Sequence, residues 1–600
     1  MRFRLLCCVS VILTLLGLLL LRLWQVQVLH GDELMRRSRR QSIRPVRLNP
    51  VRGRIFDRAG TVLVENEARY DLGFYLSEMR QRGRLGNTVE HVVEKERILA
   101  NYLGRESRLD RGQVLSHLRR QPVLPLIVMR NLTVAELSQV AEYLPALPGV
   151  EIIPRSVRSY PHPGMLTHVL GMTGMRQPDG EDVREDLPRL YVTAELRGLS
   201  GLEAAFDATL SGQPGAQLLM VDSVGYARER VQADTPPVPG NDLFLAIDAQ
   251  AQKAAEEQLR EYSGAIVVLD VSSGAVLAMA SSPGYDLAAL TAEKYRSLMR
   301  DEAKRPLLNR ATRGLYSPGS ILKPLLALAA LEEIPGEAKA EYDCTGAYYL
   351  NRRSRIRCAH RSGHGPIGLR RALAVSCNPF FINLGVRLGI DKYSEFLRSA
   401  GIGGKTGVEI GELAGVCPGR QLAQKLWKRN WIVADTAFAS IGQGAVSVTP
   451  LQAAVFTAAI ANGGIVYEPF LVQRVQSRSG EVLYEHAPVI RRRLQISPEN
   501  AAEVREGMGE TVWGEEASAA RLRSAPITLG AKTGTAEVAV AGSAVKQKNT
   551  WVIAFGPLEE PKYAFACVIE RGQSGSRTAV PVAAGFFEAW LGRAASASAP

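Results

Sequence analysis

Ser320 and Lys323 are a pair of residues whose types and spacing offer nucleophilic chemistry. They lie in the stretch Tyr-Ser-Pro-Gly-Ser-Ile-Leu-Lys-Pro at 316–324, where a Pro-Gly turn precedes an apolar helical run, Ile321–Leu331. A three-residue spacing corresponds to about one helical turn, so the amine is expected on the same face as the hydroxyl. A neutral amine there can accept the hydroxyl proton, and N–H groups at a helix N-terminus favour an oxyanion. The pair alone also fits a capped helix with a surface lysine.

A second constellation, Ser376-Cys377-Asn378, precedes Pro-Phe-Phe. A hydroxyl can relay a proton, and a carboxamide can hold a lysine amine or a substrate carbonyl. The same residues also fit the N-cap of a helix, because Ser and Asn favour that position.

A third constellation, Lys532-Thr533-Gly534-Thr535, leads into a predicted terminal β-hairpin. Lys and Thr can bind a carboxylate, and Gly lets a substrate backbone pair along the edge of a strand. The same letters, Lys-Thr-Gly, occur at 405–407. We set this copy aside because a Gly-Glu-Leu loop follows it, whereas the later copy enters a predicted edge strand.

The composition is that of a folded protein with an excess of basic residues. The 600 residues are 46% hydrophobic and 22% charged, with a net charge of +13, which excludes a disordered chain. A basic balance fits nucleic acid, anionic lipid or an acidic polymer. No nucleic-acid motif is recognisable, so we expect no nucleic-acid partner and favour membrane or cell-wall surroundings.

The N-terminus predicts a membrane anchor over residues 1–29. Leu5–Leu21 is unbroken and apolar, and with its continuation it is long enough to span a bilayer. No small-residue cleavage site follows, which indicates an uncleaved signal anchor. Basic residues flank the run on both sides, so the charge rule leaves the orientation open.

The remaining chain divides at a Pro-rich linker, 236–240. We predict a first mixed α/β domain over 30–235 and a second domain over 236–595. In the second domain, β-rich runs at both ends enclose a helical middle, which predicts one antiparallel sheet closed by remote segments and flanked by helices. These runs are 243–247, 264–270, 275–280, 550–555 and 563–569.

The three constellations, in this order, resemble the signature of the penicillin-binding proteins and serine β-lactamases. The sequence around Ser320 is similar to the active-serine box of class B penicillin-binding proteins. Further similar motifs are Pro50-Val-Arg-Gly-Arg-Ile-Phe-Asp-Arg, Tyr160-Pro, His168-Val-Leu-Gly, Gly201-Leu-Glu, Ile441-Gly-Gln-Gly and Thr449-Pro-Leu-Gln. Gly-His-Gly at 363–365 and the Trp-Gln-Val-Gln-Val-Leu after the anchor favour the elongation-type members over the division-type members.

The resemblance implies an α+β penicillin-binding/serine-transferase fold on an elongated pedestal (dimerisation) domain. It implies a D,D-transpeptidase that cross-links stem peptides through a serine acyl-enzyme during cell-wall elongation and rod-shape maintenance. Its expected location is the inner membrane, single-pass, with a periplasmic catalytic domain. Its expected partners are the lipid-linked nascent glycan, a SEDS-family glycosyltransferase, elongation scaffold proteins and β-lactams.

The resemblance also implies a role for each motif residue. Ser320 is the nucleophile, Lys323 its general base, Ser376 a proton shuttle and Asn378 a substrate-positioning residue. The third motif binds the substrate and its carboxylate through Lys532, Thr533, Gly534 and Thr535. The oxyanion hole consists of the backbone N–H groups of Ser320 and Thr535. The serine chemistry needs no cofactor.

Three cysteines and a histidine cluster between the first two motifs. Cys344, Cys358, His364 and Cys377 match the ligand set of a tetrahedral structural zinc. An oxidising compartment offers a Cys344–Cys358 disulfide as the alternative, which would leave Cys377 as a small buried residue. Both interpretations stay open, as do free thiols.

Two other functional classes share parts of this pattern. A D,D-carboxypeptidase or β-lactamase-type hydrolase would use the same serine and lysines but needs an activated water, and no carboxylate placed for that is recognisable. A non-enzymatic scaffold would not need all three motifs intact. A division-type transpeptidase remains the alternative within the family.

Overall fold

A computed structural model describes residues 2–30, 34, 43–176, 195–221, 227–538 and 546–597. Within these ranges the α-helices are, in chain order, α1 Arg2–Trp24, α2 Leu85–Tyr102, α3 Arg111–Arg120, α4 Val134–Tyr143, α5 Thr167–Leu170, α6 Gly201–Ala205, α7 Asp207–Ser211, α8 Ala249–Leu259, α9 Ala292–Arg300, α10 Arg310–Arg313, α11 Lys323–Glu333, α12 Leu369–Ala374, α13 Asn378–Leu388, α14 Ile390–Ser399, α15 Arg420–Trp427, α16 Val433–Ser440, α17 Pro450–Ala461, α18 Pro498–Trp513 and α19 Val580–Ala597.

The strands follow the same chain order. They are β1 Ile43–Leu48, β2 Ile55–Phe56, β3 Val62–Phe74, β4 Leu126–Met129, β5 Val150–Ser159, β6 Thr173–Arg176, β7 Glu195–Gly198, β8 Gly215–Val221, β9 Ala227–Thr235, β10 Asp242–Leu245, β11 Gly264–Asp270, β12 Val276–Ser282, β13 Tyr342–Cys344, β14 Ala347–Tyr349, β15 Arg355–Arg357, β16 Gly365–Ile367, β17 Ile465–Tyr467, β18 Val472–Gln476, β19 Val482–Glu485, β20 Ile490–Arg493, β21 Gly530–Val538, β22 Gln547–Gly556 and β23 Tyr563–Ile569.

The central sheet of the second domain has the order β12-β11-β23-β22-β21, and all its pairs are antiparallel. The predicted closure by remote segments is therefore confirmed, because β11 pairs directly with β23. Alternation along each strand sends Val267 to one face and Ile266 to the other, and both faces are covered. Helices α11, α13 and α17 contribute to the first core, and α8 and α19 to the second.

Helix α17 shows why a fully buried helix forms at this position. Thr449 caps its N-terminus and accepts from the Gln452 N–H, while the Gln452 side chain accepts from the Thr449 N–H. Pro450 occupies the first helical position, where its missing N–H costs nothing. All twelve residues of the helix are buried, so its apolar sequence is matched by its surroundings.

A second, seven-stranded sheet contains β19, β18, β10, β2, β3, β4 and β5. Strand β10 pairs with β2 in parallel and with β18 in antiparallel orientation. This sheet therefore joins strands from both sides of the linker at 236–240. Beside it, the Glu203 carboxylate accepts hydrogen bonds from the buried guanidinium groups of Arg52 and Arg158 at 2.6 and 2.8 Å. The ion pairs fix the motif loops of the first domain against one another.

One helix among the described residues, Leu5–Leu29, is long and apolar enough to cross a bilayer. Its apolar side chains are exposed, as expected for a segment whose partner is lipid. This agrees with the predicted anchor.

Candidate active site

Ser320 lies in a 3₁₀ turn, Gly319–Leu322, that leads into α11. The α-helix begins at Lys323, two residues later than the apolar run suggests, because Pro324 suits the first turn of an α-helix. Gly319 has φ +59°, and its N–H donates to the Gly442 carbonyl at 2.9 Å. The turn is thus held by backbone contacts that the sequence motif does not reveal.

The Lys323 amine lies at the centre of the site and has no exposed surface. It donates to the Ser376 carbonyl at 2.8 Å, to the Ser376 Oγ at 3.2 Å and to the Asn378 Oδ1 at 2.8 Å. The first two motifs are therefore brought together by one amine. Burial lowers the pKa of Lys323 to about 7, and charge on the nearby cysteine thiols opposes that shift. A large fraction of the amine is then neutral at neutral pH.

Ser376 adopts a left-handed backbone conformation, with φ +56°. A non-glycine residue pays strain there, and such strain is concentrated at functional sites. Asn378 opens α13 and uses both ends of its amide, since Oδ1 accepts from Lys323 and Nδ2 donates to the Arg357 carbonyl at 3.1 Å. Neither Ser376 nor Asn378 caps the helix with its side chain. The helix-cap alternative for this motif is wrong.

Strand β21 carries the third motif and is the edge strand of the central sheet. Lys532 is fully buried, and its amine donates to the Thr533 carbonyl at 3.2 Å. Burial, with a smaller contribution from the charge of Lys323, lowers the pKa of Lys532 well below its usual value. A Cβ on Gly534 would lie 3.0 Å from the Ile321 Cγ2. Glycine therefore lets the serine turn pack closely against the strand, in addition to the edge pairing predicted from sequence.

The other Lys-Thr-Gly, at 405–407, lies in a loop. The Glu412 carboxylate accepts from the Thr406 N–H and hydroxyl and from the Gly407 N–H, at 2.8–2.9 Å. Its polar groups stabilise this turn, and among the described residues it makes no hydrogen bond to Ser320 or Lys323.

The three cysteines and the histidine form a compact group that shares Cys377 with the second motif. One ligand atom from each residue lies within 4.8 Å of the others; the residues are Cys344, Cys358, His364 and Cys377. The cysteines are free and buried, so the disulfide alternative is not what the structure contains. Thiolates around a tetrahedral zinc lie about 3.8 Å apart, from a Zn–S distance of ~2.3 Å. The donor set and its spacing therefore fit a structural zinc.

The thiols in this group perturb one another. The hydrogen bond from the Cys377 thiol lowers the pKa of Cys358, and the same pairing raises the pKa of Cys377. Cysteines bind a metal as thiolates, so metal binding at this site would release their protons.

Three further residues belong to the site although no motif marks them. The Ser518 hydroxyl lies 3.2 Å from the Thr533 hydroxyl. The Trp551 Nε1–H donates to the Ser317 carbonyl at 3.1 Å, and the Gly575 N–H donates to the Thr535 Oγ1 at 3.1 Å. Trp551 lies in a predicted strand of the terminal hairpin, whereas Ser518 and Gly575 lie outside it and carried no sequence signal.

Taken together, the groups suit acyl transfer. The Ser320 hydroxyl stands on a turn three residues before a buried amine of lowered pKa, a second hydroxyl contacts that amine, and an edge strand offers backbone pairing to an extended peptide. Threonine hydroxyls on that strand can hold a carboxylate.

Comparison with known families agrees with this geometry. The family model described as penicillin binding protein transpeptidase domain matches residues 264–588. The model described as penicillin-binding protein dimerisation domain matches residues 47–245.

Individual relatives and solved structures are similar over nearly the whole chain. The peptidoglycan D,D-transpeptidase MrdA of Haemophilus influenzae is 30% identical over 95% of this chain and 89% of its own. The structure titled as a complex between penicillin-binding protein PBP2 and MreC from Helicobacter pylori is 25% identical, with a TM-score of 0.76 over 93% of this chain and 99% of that one. A structure titled as coordination of polymerization and crosslinking by a peptidoglycan synthase complex is 27% identical, with a TM-score of 0.68 over 98% of both chains.

Proposed function

Because the chain belongs to the penicillin-binding protein transpeptidase family, we propose that it is an elongation-type peptidoglycan D,D-transpeptidase whose nucleophile is Ser320. The observation that supports this assignment most strongly is the buried Lys323 amine, which joins the serine motif to Ser376 and Asn378. A hydrolase or division-type role is not favoured by the relatives named above.

Acylation begins with proton transfer from the Ser320 hydroxyl to the neutral Lys323 amine. The serine oxygen attacks the carbonyl between the two terminal D-alanines of a stem peptide. The resulting oxyanion lies against the backbone N–H groups of Ser320 and Thr535. Which base dominates acylation in this superfamily is a matter of dispute; the lowered pKa of Lys323 favours the lysine here.

Collapse of the tetrahedral intermediate releases D-alanine. The leaving amine takes a proton that passes from Lys323 through the Ser376 hydroxyl, which lies 3.2 Å from the lysine amine. An amine of a neighbouring stem peptide then attacks the ester, gives up a proton to the same groups and restores the free serine. Asn378 holds the lysine and positions the substrate amide.

The terminal carboxylate of the substrate lies against the third motif. Thr533 and Thr535 offer hydroxyl donors on the edge strand, and Lys532 lies buried beneath them. The Ser518 hydroxyl contacts Thr533 and so orients it toward the carboxylate.

The decisive functional assay uses the full-length protein with a SEDS-family glycosyltransferase and lipid-linked precursor. We expect muropeptide analysis to find cross-linked dimers with the wild type and none with Ser320→Ala. Ser399→Ala is the matched control and should cross-link normally, because among the described residues the Ser399 hydroxyl bonds only to the Phe396 carbonyl. Trimmed monomers without cross-links would instead support a D,D-carboxypeptidase.

For the cysteine cluster we propose a structural zinc held by three thiolates and one imidazole, from Cys344, Cys358, His364 and Cys377. When bound, the ion would neutralise the thiolates and brace the segment that carries Ser376 and Asn378. It takes no part in the serine chemistry.

Metal analysis of purified protein tests the zinc proposal. We expect about one zinc per chain, loss of the metal in Cys358→Ser, and retention in Cys417→Ser, whose thiol lies outside the cluster. The tetrahedral set of three sulfurs and one nitrogen predicts this stoichiometry. Protein with near-zero metal and a mapped Cys344–Cys358 bridge would refute the proposal.

We propose that the domain boundaries are those predicted from the sequence: an anchor at 1–29, a non-catalytic pedestal at 30–235 and a transpeptidase domain at 236–595. Because the Helicobacter pylori PBP2 was solved with MreC, we infer that the pedestal binds an elongation scaffold of that kind and a glycosyltransferase. The catalytic domain then faces the periplasm, where its substrate lies. A C-terminal alkaline phosphatase fusion should be active in cells, and a cytoplasmic reporter at the same place should be active only if this orientation is wrong.

A further inference from the structure

The carboxylate of Glu570 is a meeting point for two side chains that the proposed mechanism does not use. Its Oε1 accepts from the Tyr316 hydroxyl at 2.7 Å and from the Arg310 Nε–H at 2.8 Å. Glu570 directly follows β23 and is 254 residues from Tyr316 along the chain. The three residues therefore tie the end of a central strand to the segment that carries the nucleophile.

The Arg310 end of this unit is itself immobilised. Its side chain is 2% exposed, and its guanidinium donates to the carbonyls of Lys304 and Arg305 at 2.6 and 3.2 Å. On the same loop, the Pro306 carbonyl lies 2.7 Å from the His168 Nε2 of the first domain. A carbonyl can only accept, so the Nε2 carries the proton. The buried cation is thus matched by Glu570 and by backbone oxygens.

The Tyr316 end leads to the nucleophile in four residues. The Tyr316 backbone pairs with Val448 through both its N–H and its carbonyl, at 3.0 and 2.9 Å. Its ring is 7% exposed and packs edge-on against Trp551, whose indole N–H holds the Ser317 carbonyl. The ring and backbone of Tyr316 are fixed by these contacts. The hydrogen bond from its hydroxyl to Glu570 then restrains the remaining motion of the side chain.

Resting on the proposed function, we propose that Tyr316, Glu570 and Arg310 are positioning residues that hold the Ser320 turn in the geometry needed for attack. The carboxylate is the shared acceptor, the tyrosine transmits its position to the serine turn, and the arginine holds the carboxylate in place through its Nε–H. None of the three touches the reacting atoms. Their loss is therefore expected to slow bond formation without weakening initial binding of the substrate.

The test is stopped-flow acylation of the full-length, detergent-purified protein by a fluorescent penicillin over a range of concentrations. Tyr316→Phe removes only the hydroxyl. We expect the first-order acylation rate constant to fall about tenfold, as for the loss of one charge-assisted hydrogen bond, while the half-saturating concentration stays unchanged.

Tyr393→Phe is the matched control, because its phenol is fully buried and its hydroxyl has no hydrogen-bond partner among the described residues. It should acylate like the wild type. Glu570→Ala, which removes the shared acceptor, should also slow acylation, and adding Tyr316→Phe to it should slow acylation no further, since the residues act through one contact.

Three outcomes would overturn the inference: equal rates for Tyr316→Phe and Tyr393→Phe, additive effects in the double variant, or a change confined to the half-saturating concentration. In each of these cases penicillin still labels Ser320, so the proposed function survives. Labelling of another residue would instead refute the proposed function.

Discussion

Burial of Lys323 is the physical feature that turns an ordinary lysine into a base. An exposed amine of this type is protonated at neutral pH, and a protonated amine cannot accept the serine proton. Removing it from water disfavours its charged form, so its pKa falls to about 7. The Phe381 ring, 5.2 Å from the amine, contributes to this enclosure.

The pKa of Lys323 predicts the pH dependence of acylation. Below pH 7 the amine is mostly protonated, so the acylation rate should rise with pH, reach half its maximum near pH 7 and level off above about pH 8. Lys392→Ala, which removes an exposed amine paired with Glu333, should leave the midpoint unchanged. A profile that is flat from pH 6 to pH 8 would contradict the assignment of Lys323 as the base.

The sequence predicts which residues form the site better than it predicts the contacts that hold them in place. Ser320, Lys323 and Asn378 belong to short motifs whose spacing carries their chemistry. Tyr316 was visible in the first motif, but its partner Glu570 was not, because a contact across 254 residues leaves no local pattern. The positive φ of Ser376 was equally invisible, since serine has no local preference for that conformation.

At the scale of elements, the position of the serine turn depends on the close approach of the Gly319 and Gly442 backbones. A Cβ on Gly442 would lie 2.0 Å from the Gly319 carbonyl oxygen. No side chain can occupy that place unless the Gly319 turn moves away from Gly442.

Gly442→Ala should therefore abolish most acylation. Gly389→Ala is the matched control, because Gly389 also has a positive φ but has nothing within 4 Å of its added Cβ. It should cost about 1–3 kcal/mol of stability and leave the acylation rate near that of the wild type. Penicillin labelling of the two variants, beside their thermal midpoints, separates the two effects. Normal labelling of Gly442→Ala would contradict the proposed contact.

The secondary elements were predictable to the extent that their signals are local. Strand β23 has the predicted bounds Tyr563–Ile569, because an apolar β-rich run is flanked by a turn. Strand β10 was also predicted as a strand, but its pairing with β2 and β18 was not. Which strands pair is decided by long-range packing, so a linker at 236–240 gave no hint that one sheet extends across it.

On the scale of the whole molecule, Glu256 makes one of the contacts between the segments on the two sides of the predicted linker. Its carboxylate accepts from the Leu166 N–H of the first domain and from the Gln252 side chain, both at 2.8 Å. Burial raises the pKa of Glu256 to about 7. The folded protein therefore keeps a proton on this group that the unfolded chain releases near pH 4.3.

This difference predicts that Glu256→Gln stabilises the protein in a pH-dependent way. Between about pH 4.5 and pH 7 the folded state binds more protons, so the stability of the wild type falls as pH rises, and the amide variant escapes that loss. The gain should be absent at pH 4.5 and on the order of 3 kcal/mol above pH 7. Thermal midpoints across this range provide the measurement. Glu257→Gln, at an exposed carboxylate paired with Lys253, should show no such trend, and equal behaviour of both variants would refute the explanation.

The central claim concerns one covalent bond, and mass spectrometry of the penicillin-treated protein tests it directly. After digestion, the peptide that contains Ser320 should carry the mass of the opened β-lactam, and fragmentation should place the adduct on the Ser320 oxygen. Ser320→Ala protein with an unchanged thermal midpoint should carry no adduct. An adduct on any other residue, or none on correctly folded wild-type protein, would contradict the account.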